Sequence, residues 1–146
     1  MTIADRAERE VVEFHEFIED WLAGRIPDDD GTYDRARSAL ADDFEITSPS
    51  GETRSSAAIL GDMEAAHGSA GDDFSIRVAD LDSRFAFGDE AACLVTYEEH
   101  QRPTPGAAWT ERYSTAVFRA ADDAPNGVEW IHLHETWLPD GAPGGE

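Results

Sequence analysis

Residues 108–138 read AWTERYSTAVFRAADDAPNGVEWIHLHETWL. Two runs of strand character, 108–120 and 128–138, flank a loop rich in Asp, Pro, Asn and Gly, the signature of paired strands. Side chains at i and i+2 share one face of a strand. One face of the first run carries Arg112, Ser114, Ala116 and Phe118; the other carries Tyr113, Thr115, Val117 and Arg119. On the second run Ile131, Leu133, Glu135 and Trp137 oppose Trp130, His132, His134 and Thr136.

Residues 74–87 and 91–102 add two more long strand patterns, joined by Gly88-Asp89 and followed by Pro103-Thr104-Pro105-Gly106. Upstream the period is helical. Ala7, Val11, Phe14, Ile18, Trp21 and Leu22 recur three and four apart, so 4–23 reads as a helix ended by Gly24 and Pro27. Residues 28–31 read as a loop, 33–41 as a second helix, 44–48 as a strand and Pro49-Ser50-Gly51 as a turn. Residues 55–67 form a third helix, capped by Ser55 or Ser56 and ended at Gly68. Helices followed by a meander of long strands is an α+β plan, with the helices packed on one face of a curved sheet. The 146 residues fit one domain, 1–138, with 139–146 as a flexible tail.

Composition bounds the partners. The chain has 32 acidic and 11 basic residues, a net charge of −21, and every basic residue is arginine. An acidic disordered tail would gather the charge in one block with few aromatics, whereas here it is spread among Trp, Tyr and Phe along the chain. A calcium loop would space its carboxylates differently from Asp28-Asp29-Asp30-Gly31. The remaining reading is a surface adapted to molar salt, where the Debye length shrinks to ~3 Å and self-repulsion is screened. No basic patch is present to bind nucleic acid. No apolar run is long enough to cross a membrane, and the first residues carry no secretory signal, so a cytoplasmic location is expected. The single cysteine, Cys93, sits in an apolar run and reads as a buried structural thiol.

If both hairpins close symmetrically about their loops, Glu98 faces Arg112 and Arg112 faces Glu135. Thr96, His100 and Ser114 then stand beside this row. A one-residue slip would break it. On an open sheet such a row is a solvated charge ladder worth ~0.2–1 kcal/mol per pair. Covered by the first helix, it becomes the polar wall of a pocket in which Arg112 must be paired. Its surplus carboxylate would then have a raised pKa and could carry a proton. His132 and His134 could reach a metal from one strand face, with His100 or His67 as a third ligand, but three or four converging ligands are needed and His100 is expected on the other face. No metal site is therefore expected, and no cofactor motif is present. Trp137 reads as a core residue, or as an apolar wall of the pocket.

The segment Leu40-Ala41-Asp42-Asp43-Phe44-Glu45-Ile46-Thr47-Ser48-Pro49-Ser50-Gly51, with Arg54 and the helix after it, resembles the front half of the nuclear transport factor 2-like superfamily. The ketosteroid-isomerase-like and SnoaL-like groups share this layout. The ending His132-Leu133-His134-Glu135-Thr136 is similar to the H-x-H-x-[ST] ending of SnoaL-like proteins and of the calcium/calmodulin-dependent kinase II association domain. The resemblance spans roughly residues 5–138. It implies a cone: a strongly curved mixed or antiparallel sheet wrapped around three helices, with a pocket at the open end. Leu133 and Glu135 would point inward, as would Ile131. It also implies a homodimer built on the outer face, where His132, His134 and Tyr113 would lie. The isomerases of this family have an aspartate base directly before the proline that here follows Ser48, so steroid-type isomerisation is not expected. The kinase domain has arginine where this chain has Glu98 and Glu135, so its ligand does not transfer directly.

Two functions remain open at this point. One is an enzyme using Glu135 or Glu98 for acid–base work on a small molecule, with Arg112, His100, Thr96, Ser114, Leu133, Trp137 and His15 lining the site. The other is a non-catalytic ligand-binding or assembly module.

Overall fold

Thr2 and Asp5 cap each other's backbone reciprocally, which starts the first helix, α1 (Ile3–Ala23), directly after Thr2. Gly24 ends it in the left-handed region at φ 76°, and a Cβ there would press to 3.2 Å from the Gly68 backbone. The computed structural model describes residues 1–144. After α1 come α2 (Asp30–Arg37), β1 (Leu40–Thr47), β2 (Thr53–Ser55) and α3 (Ser56–Ala65). The four long strands follow: β3 (Ser75–Phe87), β4 (Ala92–Arg102), β5 (Thr110–Ala120) and β6 (Val128–Trp137). Asp29 caps α2 and Ser55 caps α3, each side chain accepting a backbone N–H of its own first turn.

The α+β expectation holds. The six strands form one open mixed sheet in the order β2-β1-β6-β5-β4-β3, antiparallel throughout except for the β1–β6 pair. Strand β2 was not expected from the sequence; the parallel β1–β6 pair makes the sheet mixed, one of the two forms the resemblance implied. That pairing also corrects the second helix, which stops at Arg37 instead of running to residue 41. The Ala39 carbonyl accepts the Trp130 amide at 2.9 Å, so the chain is already extended there. Register shifts in β3, between Ala79 and Asp82 and between Ser83 and Phe85, give the sheet places to bend.

Helix α1 lies across the concave face. Its stripe of Ile3, Ala7, Val11, Phe14 and Trp21 is buried against Cys93, Val95, Tyr97, Ala116, Phe118 and Trp130. The Trp130 ring is the hub, 4.5 Å from Phe118 and 5.5 Å from Phe14. The sequence reading set Trp130 on the outer face with His132. A register shift opposite Val117 and Phe118 leaves Ile131 as an extra residue, so the alternation reverses there and Trp130 turns inward. Helix α3 is tied on by two long side chains, Trp21 Nε1 donating to Met63 O at 2.7 Å and Tyr33 Oη to Leu60 O at 2.6 Å.

Beyond β6 the chain is not loose. Glu111 N donates to Gly141 O at 2.9 Å and Leu138 N to Glu111 O at 3.0 Å, and Gly141 is buried. A side chain at Gly141 would collide with the Glu111 carbonyl. The flexible tail read for 139–146 therefore does not begin at 139; residues 145–146 lie outside the described residues.

Glu10, wholly buried on α1, is the main polar anchor of the core. It accepts from both terminal nitrogens of Arg35 (3.1 and 2.8 Å), from Asn126 Nδ2 at 2.9 Å and from Trp130 Nε1 at 3.1 Å. One carboxylate thus joins α1, α2, the turn before β6, and β6 itself. Breaking a buried pair from one side leaves the other charge uncompensated. Glu10→Ala should cost ~3–5 kcal/mol of stability, read as a lowered denaturation midpoint in urea. A loss of less than ~1 kcal/mol would contradict this anchoring role.

Candidate functional site

A cavity of about 330 Å³ lies between α1, α3 and the inner face of the sheet. Most of its wall is apolar: Phe14 and Ile18 from α1, Phe44 from β1, Ile59 and Met63 from α3, and Leu133 from β6. The polar groups collect on one side, where His15, Glu99, Gln101, Arg112 and Glu135 line it. A second space of about 470 Å³ adjoins it, sharing Gln101 and Arg112 and adding Phe74, Arg102 and Trp137.

Strand geometry explains who faces in. On β4 the inward positions are odd: Cys93, Val95 and Tyr97 are wholly buried, followed by Glu99. Glu99 pairs with Arg112 across β4–β5, and Ser114 pairs with Glu135 across β5–β6. The expected row Glu98–Arg112–Glu135 is therefore corrected to Glu99–Arg112–Glu135. The β4–β5 hairpin closes one residue away from symmetry, which moves all of β4 to the other face. Glu98, His100 and Thr96 lie on the outer face instead. His100 is held there by Glu98, at 2.9 Å from Nε2, and by Arg77 Nε at 2.8 Å, while Thr96 accepts from Arg84 Nε at 3.2 Å.

The β5–β6 pairing is also off the expected register, by two residues. Arg112 stands opposite Trp137 and one step diagonal from Glu135. An even slip keeps each side chain on its face, so Arg112, Leu133 and Glu135 still meet at the cavity. Arg112 Nη1 donates to Glu135 Oε1 at 3.2 Å, and its Cζ lies 4.9 Å from the centre of the Trp137 ring. Trp137 faces the adjoining space. Ser114 is buried behind this wall, paired in register with Tyr97. His15 is in the cavity. Its Nδ1 bonds to Val11 O at 2.7 Å and its Nε2 meets Glu99 Oε1 at 3.1 Å. Gln101 Nε2 donates to the other Glu99 oxygen. His132, His134 and Tyr113 lie on the outer face, paired along β5–β6 with Val117, Thr115 and Thr136. Ser48 sits in the exposed turn after β1, its hydroxyl 2.8 Å from that of Ser50.

Glu99 and Gln101 escaped the sequence reading. The signal was present, because the apolar alternation Cys93, Val95, Tyr97 already marks odd positions of β4 as buried.

The two carboxylates experience opposite fields. Burial pushes Glu99 up, but the charge and hydrogen bond of His15, with Arg112 and Gln101, outweigh burial and hold it at about 2. Burial pushes Glu135 up too, and here the charge of Glu99 adds to it. Arg112 and His15 pull the other way without cancelling these, and the carboxyl ends at about 7. Burial would lower His15, but Glu99, the Val11 carbonyl and Glu135 raise it overall. Glu135 therefore prefers its proton in the folded state. Its stabilising contribution is complete below the ordinary carboxylate range and is lost as pH rises through about 7. Glu99 behaves oppositely, and its contribution is lost as pH falls towards about 2. Stability should accordingly decline from ~pH 4.5 to about pH 7 and level off above that, and Glu135→Gln should flatten the decline, measured by urea denaturation at fixed salt. An identical slope in the variant would contradict the assignment.

Among the described residues no helix is long and apolar enough to cross a membrane. No match was found among curated proteins. Solved structures do match. An NTF2-like protein of unknown function from Pseudomonas aeruginosa is 25% identical, with a TM-score of 0.78 over 92% of this chain and 99% of that one. A candidate dehydratase of the NTF2-like family from Streptomyces avermitilis is 14% identical, with a TM-score of 0.66 over 93% and 96%. A candidate calcium/calmodulin-dependent kinase II association domain from Exiguobacterium sibiricum is 14% identical, with a TM-score of 0.60 over 92% of each. The last two share the fold alone. The sequence profile of the sucrose-6-phosphate phosphohydrolase C-terminal family matches residues 7–139. With this profile covering most of its length, on the nuclear transport factor 2-like fold that its structural relatives share, the chain belongs to the sucrose-6-phosphate phosphohydrolase C-terminal family.

Proposed function

We propose that this domain binds a small, partly apolar molecule in its cavity and exchanges a proton with it through Glu135. One observation carries the reading: two buried carboxylates share a cavity wall and are biased to opposite protonation states. Paired titratable groups pushed apart in this way assign an acid and a fixed charge. Glu99, locked to His15, would be the permanent anion that keeps a proton on Glu135. A carboxyl poised at about 7 can give or take a proton near neutral pH. Arg112, bonded to Glu135, would hold a polar group of the ligand. The structural relative described as a candidate dehydratase is compatible with acid–base work on this fold, though the likeness extends to the fold alone. The proton carrier would sit on β6, not at the end of β1, where Ser48 stands.

Binding and chemistry can be tested separately. In NMR titrations with a fragment library, bound compounds should shift the methyl signals of Ile59, Met63 and Leu133. Filling the cavity by Ala66→Phe should abolish those shifts. On a substrate found from such hits, Glu135→Gln should reduce turnover by ~100-fold or more with binding retained. Full activity in the variant would remove Glu135 from the chemistry.

A second reading, an assembly module, has its own support. On the outer face Phe85 and Phe87 are 61% and 49% exposed with their rings 6.3 Å apart, and Phe85 pairs in register with Leu94. Exposed apolar clusters of this kind mark interfaces. The family name refers to the C-terminal part of a phosphohydrolase, and one structural relative is a candidate association domain, both compatible with an accessory role. A homodimer through this face, with His132, His134 and Tyr113, should split to monomers in His132→Glu and Phe87→Glu variants by sedimentation velocity. Dimers persisting in both variants would contradict this interface.

A further inference from the structure

Arg112 is incompletely partnered. A guanidinium offers five N–H donors in a planar fork. Among the described residues Arg112 makes one hydrogen bond, from Nη1 to Glu135, and its buried Nε has no acceptor. Its Nη2 has no acceptor either, yet it is not among the buried orphaned atoms. Arg112 lines both the main cavity and the adjoining space, and Nη2 is the donor it has left for a ligand there.

The other charged groups of the cavity are already paired. His15 and Glu99 hold each other at 3.1 Å, and Asp62 at the rim is bound by Arg54. With a proton on Glu135, the wall of His15, Glu99 and Arg112 carries one net positive charge. We infer that the ligand is a small organic monoanion, a carboxylate on an apolar body, with its head on Arg112 and its body against the aliphatic and aromatic wall. A carboxylate accepting from Nη2 makes a charge-assisted hydrogen bond, stronger than one to a neutral carbonyl. A sugar would leave its hydroxyls unpaired against Phe14, Ile18, Phe44 and Leu133. A dianion would leave one charge uncompensated beside Glu99. At about 330 Å³ the main cavity is at the small end of the range for ligand pockets, which suits a small body.

The inference rests on the binding reading above and adds a pH signature. Glu135 faces His15 of α1, Asp62 of α3, Tyr97 and Glu99 of β4 and Arg112 of β5. A bound carboxylate adds negative charge at this wall, so it should draw a proton onto Glu135 wherever that group is partly ionised.

Isothermal titration of the full chain with octanoate and 3-phenylpropanoate, against octanamide and 3-phenylpropanamide, tests this. At ~pH 6 the acids should bind at least ~tenfold tighter than their amides, and by ~pH 8.5 that advantage should shrink. Near ~pH 7.5 the heat should depend on buffer ionisation enthalpy, reporting proton uptake. Glu135→Gln should keep the preference for acids at both pH values and lose the proton uptake. The double variant Arg112→Met/Glu135→Gln, which leaves neither group without its partner, should bind acid and amide equally. Amides binding as tightly as the acids would overturn the anionic ligand while leaving small-molecule binding intact. Binding of neither class would also overturn it, and the fragment titration then decides whether the binding reading falls as well.

Discussion

The His15–Glu99 contact is the interaction on which the electrostatics of the cavity and the proposed proton chemistry depend. Both groups are almost fully buried, 3.1 Å apart, and they join α1 to β4. An isolated charge at that depth would be too costly to hold, so each partner keeps the other ionised. The resulting fixed negative charge is felt by Glu135 on β6. Glu135 also has Arg112, but that partner is shared between two carboxylates and is less completely buried. These surroundings bias one carboxylate to stay ionised and the other to hold its proton. Residues on three strands and one helix act as a unit, so none of them has a role that can be read in isolation.

Much of the fold was legible in the sequence because its signals are local. The stripe from Ala7 to Leu22 and the stop at Gly24 define α1, and the strand alternation defines β3 to β6 within a few residues. The layout of residues 40–51 and the ending at 132–136 pointed to the superfamily that the structural relatives bear out. What the sequence did not carry was long-range pairing. The parallel β1–β6 ladder, which shortens α2, depends on an extended segment meeting a strand ninety residues away, and nothing near Ala39 encodes that partner.

The site was half legible, and parity explains which half. A two-residue slip in β5–β6 left Arg112, Leu133 and Glu135 on the cavity face, whereas a one-residue slip in β4–β5 exchanged Glu98 for Glu99 and sent Thr96 and His100 outward. Hairpin loops such as 103–109 do not announce their symmetry. The burial pattern of Cys93, Val95 and Tyr97 is the better guide, since an apolar run fixes the face whatever the loop does. The inward turn of Trp130 has the same lesson in reverse, because the extra residue at Ile131 breaks an alternation that otherwise looks continuous.

The most direct test of this account is a titration of the glutamate side-chain carboxyl carbons by NMR, with Glu99 and Glu135 assigned by Gln substitution at each. Glu99 should remain ionised down to about 2, and Glu135 should titrate at about 7. Removing the fixed anion by Glu99→Gln should bring Glu135 down towards the ordinary range. If both carboxyls titrate together near the ordinary ~4.3, the opposed pair does not exist and the proposed proton chemistry fails with it.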